Sequence, residues 1–265
     1  MARPFSLTRT QRETFDQDGV LRLPGFLPQT EAAAMADAVW GDLASRFAVR
    51  RDDPATWTTQ RPAQFQSLIR RGAFERLERL GYPELAHAFL GEGCGRGSKH
   101  WGLPLVTFPT SQTWDTPHNT WHLDLPASGA LADLPALRLF CFLEPVEPRG
   151  GGTPYIEGSH RVVIDRAGRE RRAGGWRSGD MRETLKAEEP WLADLMTAGG
   201  PDRIRRFMIE GGAMRGVPVK VCEMTGQAGD VIVMHPAMFH TIAPNILARP
   251  RMMLTETFYR KGLFG

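Results

Sequence analysis

The 265-residue chain has only three cysteines, only three tyrosines and no long apolar run, and these shortages remove whole classes of protein. Cys94, Cys141 and Cys222 are odd in number, far apart and without a Cys-x-x-Cys spacing. That excludes a disulfide-framed secreted domain and a thiolate zinc site, and it fits a reducing compartment. No stretch approaches the about 18 consecutive apolar residues that a membrane span needs, and residues 1–5 open no apolar signal core. A soluble, cytoplasmic protein without a membrane partner is expected. A dominant charge sign is also lacking, since 33 Lys+Arg stand against 30 Asp+Glu for a net charge of +3. This excess is too small and too dispersed to indicate nucleic acid. Gly91, Gly93, Gly95 and Gly97 lack the Lys-Ser/Thr ending of a phosphate loop and read as a connection. No repeat or interdomain linker is visible, so one domain over residues 1–265 is expected.

What the chain does have is turn formers, 28 glycines and 20 prolines, distributed unevenly around two textures. Residues 1–100 read as a helical buttress with a first strand: Met35, Val39, Leu43 and Phe47 recur every four residues behind a Thr30 cap. A second helix is predicted over residues 64–80, and a short one over 83–90 closed by Gly91. From Leu103 onward short strands separated by Pro and Gly turns are predicted at 103–108, 121–125, 137–143, 155–156, 217–224, 230–234 and 252–259. Such spacing favours a mainly β fold with flanking helices and a closed or sandwiched antiparallel architecture. Residues 165–216, arginine-rich and helical around Leu185, Trp191 and Leu195, interrupt the core at 101–265 as an insertion predicted to fold over the site. Its basic stretch, Arg161, Arg166, Arg169, Arg171, Arg172 and Arg177 against Asp165 and Glu170, is either an electropositive lip or an ordinary solvated loop.

The motif that carries chemistry is His122-Leu123-Asp124 with a distant second imidazole. In an extended segment, side chains two apart share a face, so His122 and Asp124 can reach one metal while Leu123 points away. A second histidine would complete two nitrogens and one carboxylate on one side of an ion, leaving open positions as a non-haem Fe(II) oxygenase requires. A lone His-x-Asp is also a common chance tripeptide, so the distal partner decides. Gly229-Asp230 turns into a short buried strand ending in His235-Pro236, and His240 follows; both histidines compete for the role. Arg251, on the next predicted strand, could fork onto a carboxylate in the same cavity. His118 and Arg138 are candidate substrate contacts or ordinary polar and ion-paired positions. Trp101 and Trp114 line a pocket or pack the core.

In order along the chain, Phe15-Asp16-Gln17-Asp18-Gly19-Val20 onward, His122-Leu123-Asp124, Gly151-Gly152-Thr153-Pro154-Tyr155-Ile156-Glu157-Gly158-Ser159-His160 and Gly229-Asp230 through His240, Asn245 and Arg251 resemble the phytanoyl-CoA dioxygenase family of Fe(II)- and 2-oxoglutarate-dependent oxygenases. The resemblance implies a double-stranded β-helix, the cupin-like jelly-roll. It implies a catalytic iron held by His122, Asp124 and His240, Arg251 on the distal carboxylate of 2-oxoglutarate, and Phe140 lining the cosubstrate. It further implies a hydroxylase that uses molecular oxygen on an unactivated carbon of a small organic substrate, anionic or carrier-bound, and releases succinate and CO2. Asp124 stands where related halogenases carry a small residue, which favours hydroxylation. The family's frequent serine two residues after the distal histidine is Ile242 here, leaving Thr241 or Thr153 to supply the hydroxyl, and Glu157 replaces a proline. Two other readings stand: a noncatalytic metal-binding jelly-roll, and a cupin-type metal oxygenase that does not use 2-oxoglutarate.

Overall fold

A period of two along one strand sorts the molecule into layers. In the computed structural model, which describes residues 5–125, 131–170, 172 and 175–263, the nine strands are β1 (Val20–Leu23), β2 (Gly95–Arg96), β3 (Leu103–Thr107), β4 (Ala136–Phe142), β5 (Pro154–Glu157), β6 (Gly212–Met214), β7 (Val217–Glu223), β8 (Val231–Met234) and β9 (Arg251–Tyr259). On β9, Met252, Leu254 and Phe258 pack on one side, whereas Met253 packs on the other. β4 repeats the alternation, with Leu137, Leu139 and Cys141 against Phe140 and Phe142. All described strand pairings are antiparallel. The larger sheet runs β1-β8-β4-β9-β2 with β3 also on β9, and the smaller runs β5-β7-β6.

Helices cover the outside of both sheets. Against the larger sheet lie α1 (Arg9–Asp18), α2 (Gln29–Phe47), α3 (Gln66–Arg70), α4 (Arg76–Arg79) and α5 (Tyr82–Leu90), which bury Phe15, Met35, Val39, Leu43, Leu77 and Leu85 with the outer face of β4 and β9. Against the smaller sheet lie α6 (Ser159–Arg169), α7 (Ser178–Glu188) and α8 (Pro190–Leu195), where Val162, Leu185, Leu192 and Leu195 meet Ile156, Val219 and Val221. Between the sheets Phe140, Phe142, Tyr155, Met224, Ile232, Met234 and Met253 form a third cluster. The candidate site opens into that inner layer.

The smaller sheet is extended by two segments without regular strand structure. His240 bridges Tyr155 on one side and His122 on the other. Ile156 N–H donates to Phe239 O at 2.9 Å, and Asp124 N–H to Pro236 O at 3.1 Å. Trp121, Leu123, Ala237 and Phe239 enter the core under the insertion, so His122, Asp124 and His240 face the inner layer.

Several sequence expectations are corrected. Residues 121–125 form an isolated bridge, because Thr120 adopts a left-handed φ of 58° just before them and the single partner segment ends at His240. The expected helix over 64–80 is two short helices broken at Gly72 (φ 76°). Thr30 does not cap α2, which begins at Gln29 after Pro28 without a side-chain cap. The strand expected at 155–156 runs over Pro154–Glu157, and Gly158 then turns the chain into α6 at φ 79°, where a Cβ would lie 2.6 Å from Pro218 O. The helical excursion therefore starts at Ser159, ahead of residue 165, and closes with a π-helix over Arg205–Glu210 before β6.

Candidate metal and anion site

His122, Asp124 and His240 each offer a ligand atom, and these atoms lie within 4.8 Å of one another. The hydrogen bonds behind the two rings fix their tautomers. His122 Nδ1 lies 2.9 Å from Thr120 O and His240 Nδ1 3.1 Å from Met238 O. A carbonyl only accepts, so each Nδ1 carries a proton, which leaves His122 Nε2 with a lone pair, while His240 Nε2 faces the Asp124 carboxylate, 3.3 Å from Oδ2. The rings are 4.1 Å apart between centroids. Burial, then the neighbouring His240, hold the His122 imidazole below its ordinary pKa, which keeps it neutral and ready to ligate. Burial pushes the Asp124 carboxyl up, but the His240 hydrogen bond and charge, then Arg138 and His122, outweigh it and bring it down to about 2. Two imidazoles and one carboxylate, the rings oriented by backbone carbonyls, are a donor set that fits a divalent metal with open positions.

Arg138 lies beside this set on the inner face of β4. Its Nη1 donates to Asp124 Oδ2 at 2.5 Å and its Nε to Thr255 Oγ1 at 3.1 Å. Its guanidinium carbon stands 5.9 Å from the ring centroid of Phe140, two residues along the same face. The sequence left Arg138 between ligand contact and ion pair; in the protein it is paired to the candidate metal ligand.

Arg251 enters the inner layer from the first position of β9 and is 6% exposed. Its Nη1 donates to Thr153 Oγ1 at 3.1 Å, and Nε has no hydrogen-bond partner among the described residues. Burial, then Arg61, hold its pKa down at about 10, so the group still carries a full charge near neutrality. A buried guanidinium with one neutral acceptor is costly by several kcal/mol until an anion joins it. Thr153 is set there by the bend before it: Gly151 has φ 77°, and a Cβ on Gly152 would lie 2.2 Å from Met224 O. Of the two threonines considered, Thr153 is the one on Arg251. Thr241 Oγ1 instead donates to Asn119 O at 2.9 Å and lies 2.7 Å from Thr120 Oγ1. Ile242 is 40% exposed.

The remaining candidates disperse. His235 is buried beside His160 (ring centroids 5.1 Å) and accepts the Ala237 N–H at Nδ1, so it stands outside the metal-ligand group. His118 is exposed in the irregular segment before Thr120, and the strand register that would place it beside His122 is absent. Trp101 packs edge-on against Tyr82, 6.3 Å between centroids, and under Arg96 in the outer helical core. Trp114 is buried below the Arg149 guanidinium, 5.8 Å away, and its indole N–H finds no acceptor among the described residues. In the basic stretch, Arg166 pairs with Glu170 and Glu188, Arg169 with Asp165, and Arg172 with Glu170 over the face of Trp176. The charge of these three is neutralised locally, whereas exposed Arg161 and Arg177 form no salt bridge among the described residues; Arg171 lies outside the described residues.

Two contributors carry no sequence signal. Ser178, at the start of α7, accepts the Leu123 N–H at 2.9 Å and ties the insertion to the His-Leu-Asp segment. Arg61 donates from Nη2 to Ala243 O at 3.2 Å, near the distal ligand. Neither belongs to a spaced motif; only the fold brings them in.

No protein-family model matches the chain, and no curated protein matches it. Among solved structures, it is similar to SnoK, a non-haem α-ketoglutarate-dependent carbocyclase from nogalamycin biosynthesis, with TM-score 0.56 and 19% identity over 99% of this chain and 91% of that one. It is also similar to the epimerase SnoN, solved with Fe3+, α-ketoglutarate and nogalamycin RO, with TM-score 0.54 and 17% identity over 95% and 82% of the two chains. HygX from Streptomyces hygroscopicus, solved with nickel and 2-oxoglutarate, gives TM-score 0.53 and 17% identity over 97% and 88%. The sheet-rich fold with flanking helices is therefore one that these metal- and 2-oxoglutarate-binding proteins share.

Proposed function

We propose that the protein is an Fe(II)- and 2-oxoglutarate-dependent oxygenase, a single jelly-roll domain over residues 1–265 of the phytanoyl-CoA dioxygenase type. The observation that carries this reading is a pairing across one inner layer: a His-Asp-His donor set with both Nδ1 atoms held by backbone carbonyls, and a buried guanidinium that has a hydroxyl beside it but no anion among the described residues. The bound metals and cosubstrate of SnoN and HygX support the assignment of both halves. In this reading His122, Asp124 and His240 hold the metal, Arg251 and Thr153 hold the distal carboxylate of 2-oxoglutarate, and Phe140 packs along it. A reading without 2-oxoglutarate leaves Arg251 buried and uncompensated.

When bound, iron with 2-oxoglutarate and oxygen supplies the oxidising power to break an unactivated C–H bond, with succinate and CO2 as coproducts. The chain supplies position and exclusion of water. The carbonyls of Thr120 and Met238 keep the imidazole protons on Nδ1, so the ligand atoms stay aimed at one point. Arg138 occupies Asp124 Oδ2 from the side, leaving Oδ1 as the oxygen without a guanidinium partner. Hydroxylation of a small organic or acyl substrate is the outcome proposed, because Asp124 keeps the third protein ligand in place. SnoN and SnoK carry out epimerisation and carbocyclisation, so product analysis belongs in the test.

Anaerobic addition of Fe(II) and then 2-oxoglutarate is expected to give a weak visible charge-transfer band that His122→Ala abolishes. No band in the unaltered protein, together with no succinate across a broad substrate panel, would overturn the proposal in favour of a noncatalytic metal-binding fold.

A further inference from the structure

The end of the sheet that holds Arg251 has a second guanidinium above it. Phe108 N–H donates to Gln60 O at 2.8 Å, and Phe108 directly follows Thr107, the register partner of Arg251. Arg61 therefore starts beside the strand end from which Arg251 enters. Its Nη2 then reaches Ala243 O at 3.2 Å, on the stretch that leads away from His240. The residue as a whole is exposed, but its head is held at a part-buried carbonyl. Neither arginine forms a salt bridge to a carboxylate among the described residues, and each donates only to neutral oxygens. Arg251 is buried with an unpartnered Nε, and Arg61 is near enough for its like charge to act on it, a pairing that an anion between them would relieve. Burial lowers the Arg251 pKa first and the Arg61 charge second, the direction that a like charge requires. Structural arginines in this chain look different. Arg203, also buried, spends its donors on the carbonyls of Thr116, Leu195, Thr197 and Gly199 and has the Asp115 carboxylate 3.6 Å from its Nε.

Resting on the cosubstrate reading above, the geometry points to Arg61 as a second binding residue for the distal carboxylate of 2-oxoglutarate. It closes on that carboxylate from the solvent side while Arg251 and Thr153 hold it from within. The arrangement makes the subsite selective for a dianionic 2-oxo acid over a monoanionic one with the same chelating head, because only the former brings charge to both guanidinium groups.

The test is direct binding to the anaerobic Fe(II) protein of 2-oxoglutarate and of 2-oxopentanoate, which keeps the chelating end and replaces the distal carboxylate by methyl. Arg61→Gln is expected to weaken 2-oxoglutarate about tenfold, the scale of one charge-assisted hydrogen bond, while leaving 2-oxopentanoate and Fe(II) affinity unchanged. Arg61→Lys, which keeps the charge, is expected to recover most of the loss. Equal 2-oxoglutarate affinity in Arg61→Gln and the unaltered protein overturns the inference, as do equal losses for both acids, the mark of a merely structural residue. Failure of the cosubstrate reading shows earlier and separately: the unaltered protein would then show no preference for 2-oxoglutarate over 2-oxopentanoate, and the inference falls with it.

Discussion

At the scale of single residues, the chemistry depends on which atoms are already engaged. Thr153 donates nothing to other described side chains and accepts from Arg251, whereas Thr241 is committed to Asn119 and Thr120. Thr153→Val should therefore raise the KM for 2-oxoglutarate about ten- to a hundredfold, the worth of one hydrogen bond to a charged group, with Fe(II) affinity unchanged. Thr241→Val should leave that KM within about twofold, and steady-state succinate formation measures both. Comparable KM increases in the two variants would remove Thr153 from the subsite. Arg138 poses a different question, because its partner is a metal ligand rather than the cosubstrate. Arg138→Gln removes the charge beside Asp124, and loss of such a supporting contact lowers metal affinity about ten- to a hundredfold. Metal titration monitored by loss of Fe(II) or Co(II) binding reads this, and unchanged affinity would mean that Arg138 serves substrate alone.

At the scale of elements, the reach of sequence reasoning follows from what each segment touches. β4, β8 and β9 were legible because they sit in mid-sheet, where both faces bury side chains and the apolar runs are continuous. The metal segment was legible in its chemistry but not in its form. Side-chain alternation brings His122 and Asp124 to one face, as an extended segment requires, yet the backbone pairs at one bridge only. What replaces the missing ladder is long-range and invisible to local pattern: Ser178, from the insertion, takes the Leu123 N–H. The insertion's helices were readable as helices, whereas their contact with the ligand segment was not. Arg61 was missed for the same reason, since a lone arginine in a loop has no spacing to betray it. Ser178→Ala tests this coupling. Leaving a part-buried N–H unmet should cost about 1–2 kcal/mol in urea unfolding and weaken metal binding several-fold, although Ser178 is not a ligand. A stability loss with unaltered metal affinity would show that the insertion supports the fold without positioning the ligands.

At the scale of the whole molecule, one buried pair links three elements and sets an acid limit. His160, near the start of α6, has Nε2 3.1 Å from Asp16 O on α1, and its ring lies tilted against that of His235, which follows β8, with 5.1 Å between centroids. Burial, with the neighbouring Arg161, brings His160 down to about 4 despite the Asp16 carbonyl; burial and then His160 bring His235 down to about 3. In the unfolded chain both titrate near 6.5, so between about 4 and 6.5 the unfolded state binds more protons than the folded one. Stability contributed by the neutral pair is thus complete above 6.5 and is lost as pH falls through that window, by about 1.4 kcal/mol per pH unit for each histidine. Half-buried Glu223, raised to about 7 chiefly by desolvation, works in the opposite direction over part of the range, because its folded form retains a proton that the unfolded form releases. Its contribution cancels when two proteins differing only at residue 160 are compared. His160→Gln keeps a donor for Asp16 O and removes one titration, so its urea stability, measured without metal from pH 7.5 to 4.5, should fall less steeply than that of the unaltered protein. The two curves should converge toward acid even though the variant starts lower at pH 7.5. Parallel curves would mean that His160 takes up its proton equally in both states and that the junction of α1, α6 and the end of β8 does not set the acid limit.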